Sequence, residues 1–539
     1  MSKETLGKTP ITIDLGDYCY LPNANLSSYF HSVKVGKGEI ERAPFGGTAS
    51  SPSKQLDEWH HIFTAKLPHA KWSDSLQDFE FDQMSKVGPM SVRKPLVDRL
   101  PDIVNYYTDV EGEFTPVAGE AVLAALQAVR PAQGIRLRTK AQTIANMDLS
   151  KNSGTPYYTS KRVVTPEYLS RVGSVGYSGQ HVTSMGKYAA AILGWRGQEG
   201  GPKPTDTKQR VVWMFPYGVN IAELSAYQPL ITSCQRHGLI APWISDDLVD
   251  SRITRLFDTK SDKDLVVCTD FTRFDQHFGR SMQDCAEDMM RALLVPSTEA
   301  NRWIERVFPI KYNLPIIISP TQAYTGWHGM GSGSGGTNVD ETLAHTALQH
   351  EAALLNGEHL NPNSMCLGDD GVLSYPGVAV DQVTEAYTSH GLEMNEIKQY
   401  AKTDSCVFLR RWHHTQYRQN SVMVGVYSTF RALGRLMYTE RGLDGWTNED
   451  IAMRQLSILE NTRFHPLFKE FVSFAMRKDK YRLGLDLPGF WSKVTSDDPI
   501  LKAGAWGKRQ EWRTSVQSVQ RPISSWAVVR LLDRSRPSD

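Results

Sequence analysis

The sequence predicts an α+β fold whose acidic groups meet at one edge of a small sheet. Three observations predict it: an apolar run of strand length, Leu265-Val-Val-Cys268, ending in Thr269-Asp270; helical apolar spacing on both sides of a glycine cluster; and two short apolar runs joined at Gly368-Asp-Asp370. In order, the first run is a strand that leaves Asp270 at its end and Asp275 in the turn that follows. Ser281 to Leu294 then puts Met282, Cys285, Met289 and Leu293 on one helical face. Gly329-Met-Gly-Ser-Gly-Ser-Gly-Gly336 is a loop, and Val339, Leu343, Ala347 and Leu354 form the stripe of a second helix. Met365 to Leu373 reads as a hairpin, because two apolar segments flank polar turn residues. Val383 and Tyr387 share one face of a third helix, with Gly391 placed to cap it.

The whole chain, 539 residues and 60.5 kDa, is long enough for about three to five packed units, which argues against a lone small binding module. A composition of 40% hydrophobic and 22% charged residues argues against disorder. The net charge of +1 neither demands nor excludes nucleic acid, since a binding channel needs local charge. With no secretory leader pattern and no run long enough to cross a bilayer, a soluble protein of a cytosol-like compartment is expected. The six cysteines form no CxxC pair, so reduced thiols and no structural zinc are expected. The first 80 residues read as an extension packed on the body or tethering it, and about 80 to 262 as a mixed region of more than one subdomain.

If Asp369 faces the end of the strand that carries Asp270, their oxygens form a hard-ligand site for Mg²⁺ or Mn²⁺, with Asp370 in a secondary role. Two such ions activate an attacking hydroxyl and stabilise departing phosphate oxygens. Taken singly, each piece has an ordinary reading as a solvated turn or a flexible loop; their ordered placement around strand ends favours function. Gly331-x-Gly333-x-x-Gly336 matches the dinucleotide-binding pattern, but no apolar strand immediately precedes it. A loop that brings backbone amides and the Ser332, Ser334 and Thr337 hydroxyls to a sugar or phosphate is the more specific reading.

Upstream, Lys203, Lys208 and Arg210 lead into Val211-Val-Trp-Met-Phe215, a basic-to-apolar transition that can hold cationic heads over a triphosphate. Downstream, Lys398 and Lys402 are rival proton donors to a leaving pyrophosphate. Phe408-Leu-Arg-Arg411 offers an apolar anchor and a cationic pair, Arg410 and Arg411, for an RNA backbone. From Leu501 to Asp539 there are eight Lys or Arg against three Asp or Glu, interrupted by Trp512 and Trp526: an RNA-facing surface, a packing strap or an assembly segment.

Lys208-Gln-Arg210, Asp270-Phe-Thr-Arg-Phe-Asp275, Ser332-Gly-Ser-Gly-Gly-Thr337, Cys366-Leu-Gly-Asp-Asp370, Lys398 and Phe408-Leu-Arg-Arg411, in that order over about 200 residues, resemble a viral RNA-dependent RNA polymerase, with the picobirnavirus polymerases, which serve double-stranded RNA genomes, as the nearest likeness. The resemblance implies a right-hand fold with an N-terminal extension over 1–80, fingers over 81–262, a palm of antiparallel sheet and helices over 263–405 with a fingers insertion around 295–328, and a largely helical thumb with the basic tail over 406–539. It implies Asp270, Asp369 and Asp370 as ligands of two Mg²⁺ ions, with Mn²⁺ able to substitute, and Lys398 as the general acid. Lys208, Arg210, Asp275, Ser332, Gly333, Thr337 and Asn338 would bind the nucleotide, Asp275 and Thr337 sensing the ribose 2′-hydroxyl, and Arg410 and Arg411 would touch RNA. The family pattern often has an asparagine four residues after the threonine, where this chain has Glu341. Ser174 to Gly179 is the candidate for a template-strand loop.

The activity implied is template-directed RNA synthesis from NTPs, in replication and transcription of a double-stranded genome. The implied partners are RNA template and product, NTPs and a viral capsid protein, with no membrane. A monomeric catalytic unit would work in the virion interior and the host cytoplasm. A reverse transcriptase is the enzymatic alternative, distinguished by dNTP preference, and a noncatalytic RNA-binding or capsid-associated protein the alternative from another class.

Overall fold

The computed structural model describes residues 8–46, 51–108, 114–170, 176–178, 181–394, 399–496 and 521–534. At its centre is a four-stranded antiparallel sheet in the order Met365–Leu367, Asp370–Leu373, Val266–Thr269, Tyr400–Lys402. The central strand reads as an unbroken apolar run because both faces of the sheet are covered. Val267 packs with Met282, Cys285 and Met289 of the helix Arg280–Leu293 and with Leu343 and Ala347 of the helix Thr337–Leu355. Val266 and Cys268 point the other way, toward Val249, Ile253 and Leu256 of the helix Asp246–Thr259 and toward Cys406 and Phe408. The apolar stripe of Arg280–Leu293 is wholly buried, and Met282, Met289 and Leu293 each contribute about 1.5–3 kcal/mol by leaving water. The third predicted helix is Val380–Thr388 with Val383 and Tyr387 buried, but it is capped at Ser389; Gly391, with φ +85°, turns the chain two residues later.

A second sheet has five strands in the order Ile11–Thr12, Gln322–Tyr324, Ile316–Ser319, Ala191–Gln198, Lys208–Met214. Only Ala191–Gln198 and Ile316–Ser319 run parallel, and together they bury Leu193, Trp213, Ile316 and Ile318 with Tyr106. The segment around 295–328 thus leaves the first sheet after Arg280–Leu293, joins this one, and returns through the glycine cluster.

The N-terminal residues are part of the body rather than a tether. Helices Pro52–Lys66 and Ser73–Ser85 share one core with Thr429–Met437, Asn448–Glu460 and Phe468–Lys478. The Trp59 indole donates to the Thr429 hydroxyl at 2.9 Å and lies 4.8 Å from the Phe471 ring. Of the three readings of the tail, residues 521–534 form a packing strap: Trp526 is fully buried and the Val528 amide donates to Glu460 Oε2 at 3.1 Å. Trp512 lies outside the described residues. All six cysteines are buried and free, and among the described residues no helix is long and apolar enough to cross a membrane.

Candidate active site

Hairpin and central strand bring the predicted acids together. The hairpin turns at Gly368-Asp369, since Leu367 pairs with Asp370; Gly368 takes φ +59°, as such a two-residue turn demands. Gly371 pairs with Thr269, so one step further along the same register lie Asp370 and Asp270. The helix Thr337–Leu355 fixes the turn with a polar stripe: Thr342 Oγ1 accepts from the Gly368 amide at 3.0 Å, His345 Nδ1 donates to the Gly368 carbonyl at 2.8 Å, and Gln349 donates to the Met365 carbonyl at 2.9 Å. Asp270 is held by a residue the sequence reading missed: the Gln399 side chain accepts from its amide at 3.1 Å and donates to its carbonyl at 2.8 Å.

Five acids converge here, and their charges oppose one another. Burial, then Asp369 and Asp270, push the Asp370 carboxyl up to about 7 against the pull of Arg410 and Arg210. Asp275, in the short helix Phe274–His277, is raised by burial and by Asp369, against hydrogen bonds from Glu341 and Ser332 and the charge of Arg210. Glu341 is raised well above the usual carboxylate range by burial, Asp275 and Asp369, and its buried Oε1 has no hydrogen-bonding partner among the described residues. Such a surplus of negative charge, carried by oxygen donors alone, fits a hard divalent cation. Among the described residues no group of three or more such side chains is already positioned to hold a metal ion.

The glycine loop lies against the strand Lys208–Met214. The Trp213 amide donates to the Ser332 carbonyl at 2.8 Å, and the Met330 amide to the Asp275 carbonyl at 2.7 Å. Gly333 has φ +123°, and a Cβ there would sit 2.0 Å from the Trp213 carbonyl oxygen, so only glycine permits this approach. A second organiser missed in the sequence is Glu223, fully buried on the helix Tyr217–His237, whose two carboxylate oxygens accept from Ser334 Oγ at 2.6 Å and the Gly335 amide at 2.8 Å. Thr337 opens the helix behind the loop, its hydroxyl 3.4 Å from the Ser334 carbonyl. Lys208 and Arg210 are exposed on one face of their strand, and the charge of Arg210 reaches both Asp275 and Asp370.

Several predicted residues fall elsewhere. Asn338 accepts from the Trp243 indole at 2.6 Å, which ties its side chain away from the acids. Asp340, not among the residues expected at the site, forms a fully buried ion pair with Lys311 at 3.1 Å and accepts from Tyr227 and Tyr312. Lys402 pairs with Val266, four residues from Asp270, or about 13 Å along the strand. Lys398 lies outside the described residues, as do Ser174 and Gly179 of the template-loop candidate, of which Gly176–Ser178 form a short strand. Arg411, expected from the sequence to touch RNA, is turned inward. It is 6% exposed, ion-paired with Asp246 at 3.1 Å and bonded to the Gly425 and Asn461 carbonyls, because the strand Arg411–His414 turns it inward. Arg410, in contrast, stands at the tip of the hairpin Ser405–Phe408/Arg411–His414. Leu409 and Arg410 take φ +50° and +63°, a left-handed pair that costs about 1–2 kcal/mol per residue without glycine.

Acids at the turn of an antiparallel hairpin, facing a strand end beside a glycine loop and arginines, define a nucleotidyl-transfer type of site. The chain belongs to the viral RNA-dependent RNA polymerases: the model of that family, described as "Viral RNA-dependent RNA polymerase", matches residues 113–425. It is 47% identical over 486 residues, 89% of this chain and 90% of the other, to a potential RNA-dependent RNA polymerase of human picobirnavirus (strain Human/Thailand/Hy005102/-). Crystal structures of the RNA-dependent RNA polymerase of a human picobirnavirus, and of its insertion loop deletion mutant, superimpose with a TM-score of 0.89 each at 44% and 45% identity, covering 97% of this chain and 99% of theirs. The chain is therefore an RNA-directed RNA polymerase with an α+β right-hand fold, an enzyme of template-directed RNA synthesis.

Proposed function

We propose that this polymerase joins nucleotides at the edge formed by Asp270, Asp369 and Asp370, in replication and transcription of a viral double-stranded RNA genome. The observation that carries the reading is the pairing register that sets Asp270 beside the Gly368-Asp369 hairpin turn. The RNA 3′-hydroxyl gives up its proton to solvent and its oxygen bonds to the α-phosphorus of an NTP, the bond to pyrophosphate breaks, and the leaving group takes up a proton, for which Lys398 is the donor. Asp270, Asp369 and Asp370 would hold two Mg²⁺ ions, or Mn²⁺ in their place, which supply charge neutralisation at the transferred phosphate and lower the hydroxyl pKa. Arg210, with Lys208 two residues before it, holds the triphosphate; Ser332, Gly333 and Thr337 border the nucleotide; Asp275 and Glu341 face its ribose; Gln399 keeps Asp270 oriented.

Residues 81–262 with the insertion around 295–328 serve as fingers, 263–405 as palm and 406–539 as thumb, with 1–80 packed against the last. The unit works as a monomer on RNA and NTPs, with a viral capsid protein as partner, in the virion interior and the host cytoplasm. Radiolabelled NTP and dNTP incorporation on defined RNA templates with Mg²⁺ tests the chemistry. Asp369→Asn should lose at least about 10³-fold in template-dependent NTP incorporation with folding retained; equal incorporation by mutant and parent would remove the assignment, and dNTP preference would indicate reverse transcription.

A further inference from the structure

One imidazole touches the flanks of all three acids at the sheet edge. His345, fully buried on the helix Thr337–Leu355, bonds through Nδ1 to the Gly368 carbonyl at 2.8 Å, one residue before Asp369. Its other edge lies against Gly371, one residue after Asp370, where an added Cβ would sit 2.7 Å from Cε1 and Nε2 of the ring. The Phe271 ring, one residue after Asp270, meets the imidazole edge-on at 5.3 Å. Tyr387, also edge-on at 5.5 Å, and Phe274 complete an aromatic box around it.

A carbonyl oxygen can only accept, so Nδ1 carries the proton, while Nε2 is buried with no hydrogen-bonding partner among the described residues. An unpaired buried nitrogen is a cost that an aliphatic side chain would avoid, so what the ring adds over a leucine is the single donor at Nδ1. The turn has use for that donor. Asp369 lies beyond the last strand pair, Leu367 with Asp370, so no ladder partner holds it. The helix supplies the restraint from both sides of one residue: Thr342 Oγ1 accepts from the Gly368 amide at 3.0 Å, and His345 donates to the Gly368 carbonyl.

We propose that His345 is a positioning residue for nucleotidyl transfer: through the Gly368 carbonyl, Gly371 and Phe271 it keeps the turn that carries Asp369 against the end of the strand that carries Asp270. The proposal rests on the polymerase reading above and adds a residue that reaches the reaction only through the backbone. Misplacement of a reacting group by about 1 Å costs about 10²-fold in rate. The signature is a slower chemical step with NTP affinity retained.

The test uses the full chain and separates the donor from the volume it occupies. In His345→Asn the amide nitrogen falls where Nδ1 stands. In His345→Gln it falls where Nε2 stands, away from the carbonyl, although Gln fills the space better; His345→Leu has no donor. Single-turnover incorporation against NTP concentration gives rate and KM separately. Electron paramagnetic resonance of free Mn²⁺ gives metal affinity without catalysis, and melting curves report folding.

His345→Leu and His345→Gln should slow the single-turnover rate by about 10²-fold, keep the KM for NTP within about threefold of the parent and weaken Mn²⁺ binding at least about fivefold. His345→Asn should recover at least about tenfold of the lost rate and most of the Mn²⁺ affinity. Thr342→Val removes the acceptor of the Gly368 amide at constant shape, should show the same split between rate and KM, and carries the test if the His345 variants fail to fold. Rates that follow volume, with Gln above Asn, an Asn variant no better than Leu, or a Leu variant with the parent's rate would overturn the proposal and leave His345 a packing residue. Equal incorporation by Asp369→Asn and parent would instead remove the polymerase reading and, with it, the reaction that His345 serves.

Discussion

Replacing Gly333 with alanine isolates the contribution of the glycine loop. Two costs can be worked out. The residue takes φ +123°, a conformation whose occupation by an L side chain costs about 1–3 kcal/mol. The new Cβ would lie 2.0 Å from the Trp213 carbonyl oxygen, a backbone atom that cannot swing aside, so the loop must retreat by more than an ångström. That retreat breaks the bond from the Trp213 amide to the Ser332 carbonyl, a further loss of about 0.5–1.5 kcal/mol. The sum, about 2–4 kcal/mol, falls on the loop's working conformation, and at 1.36 kcal/mol per decade it corresponds to about a 30- to 1,000-fold rise in the KM for NTP. Single-turnover incorporation as a function of NTP concentration gives KM and rate separately. Gly357→Ala is the control, since Gly357 also has positive φ, +72°, but nothing within 4 Å of the added atom and no part in the site. Gly333→Ala with a KM within threefold of the parent and an undisturbed melting curve would refute the reasoning.

Two further outcomes concern stability. Glu199 bridges Arg431 and Arg435, whose charges hold its carboxyl below the usual range despite burial; Glu199→Gln leaves two largely buried arginines unmatched, should cost about 3–5 kcal/mol, and lowers the melting midpoint by about 3 °C or more, whereas a midpoint within 1 °C of the parent would contradict it. His328 is fully buried against the Trp213 ring, and burial pushes its imidazole down to about 4. Its neutral form therefore stabilises the fold fully above about pH 6.5, and that stability is lost as pH falls toward 4, amounting to about 2 kcal/mol by pH 5. His328→Gln should remove this part of the difference in melting between pH 7 and pH 5, and a variant with the parent's pH dependence would show that the ring does not titrate as described.

The readable part of the sequence was the part with local causes. Leu265 to Cys268 announces a strand, and the spacing of Met282, Cys285, Met289 and Leu293 a helix, because each pattern reports a face buried by its own neighbours. Gly368-Asp369 announces its turn for the same reason. Glu223 and Gln399 carry no such signal: one lies on a helix more than 100 residues from the loop it holds, the other clamps a backbone 129 residues away. Arg410 and Arg411 looked alike as a basic pair, yet a hairpin places one at its tip and the other in its strand, where Asp246 and the Gly425 and Asn461 carbonyls hold it inward. The buried ion pair of Asp340 with Lys311 is equally invisible, since nothing local in the sequence links the two residues.

The contact between Trp59 and Thr429 spans 370 residues. At a synthesis rate of about 5–20 residues per second, the apolar face of the N-terminal helices waits on the order of 20–70 s before the chain that covers it has been made. During that interval Trp59 and Phe63 lack the C-terminal core that later buries them, which makes the nascent chain a client for whatever shields sticky surfaces on the ribosome. The same delay acts as a check on completeness: a product that stops before Thr429 has the acids of the centre but leaves the N-terminal core unburied.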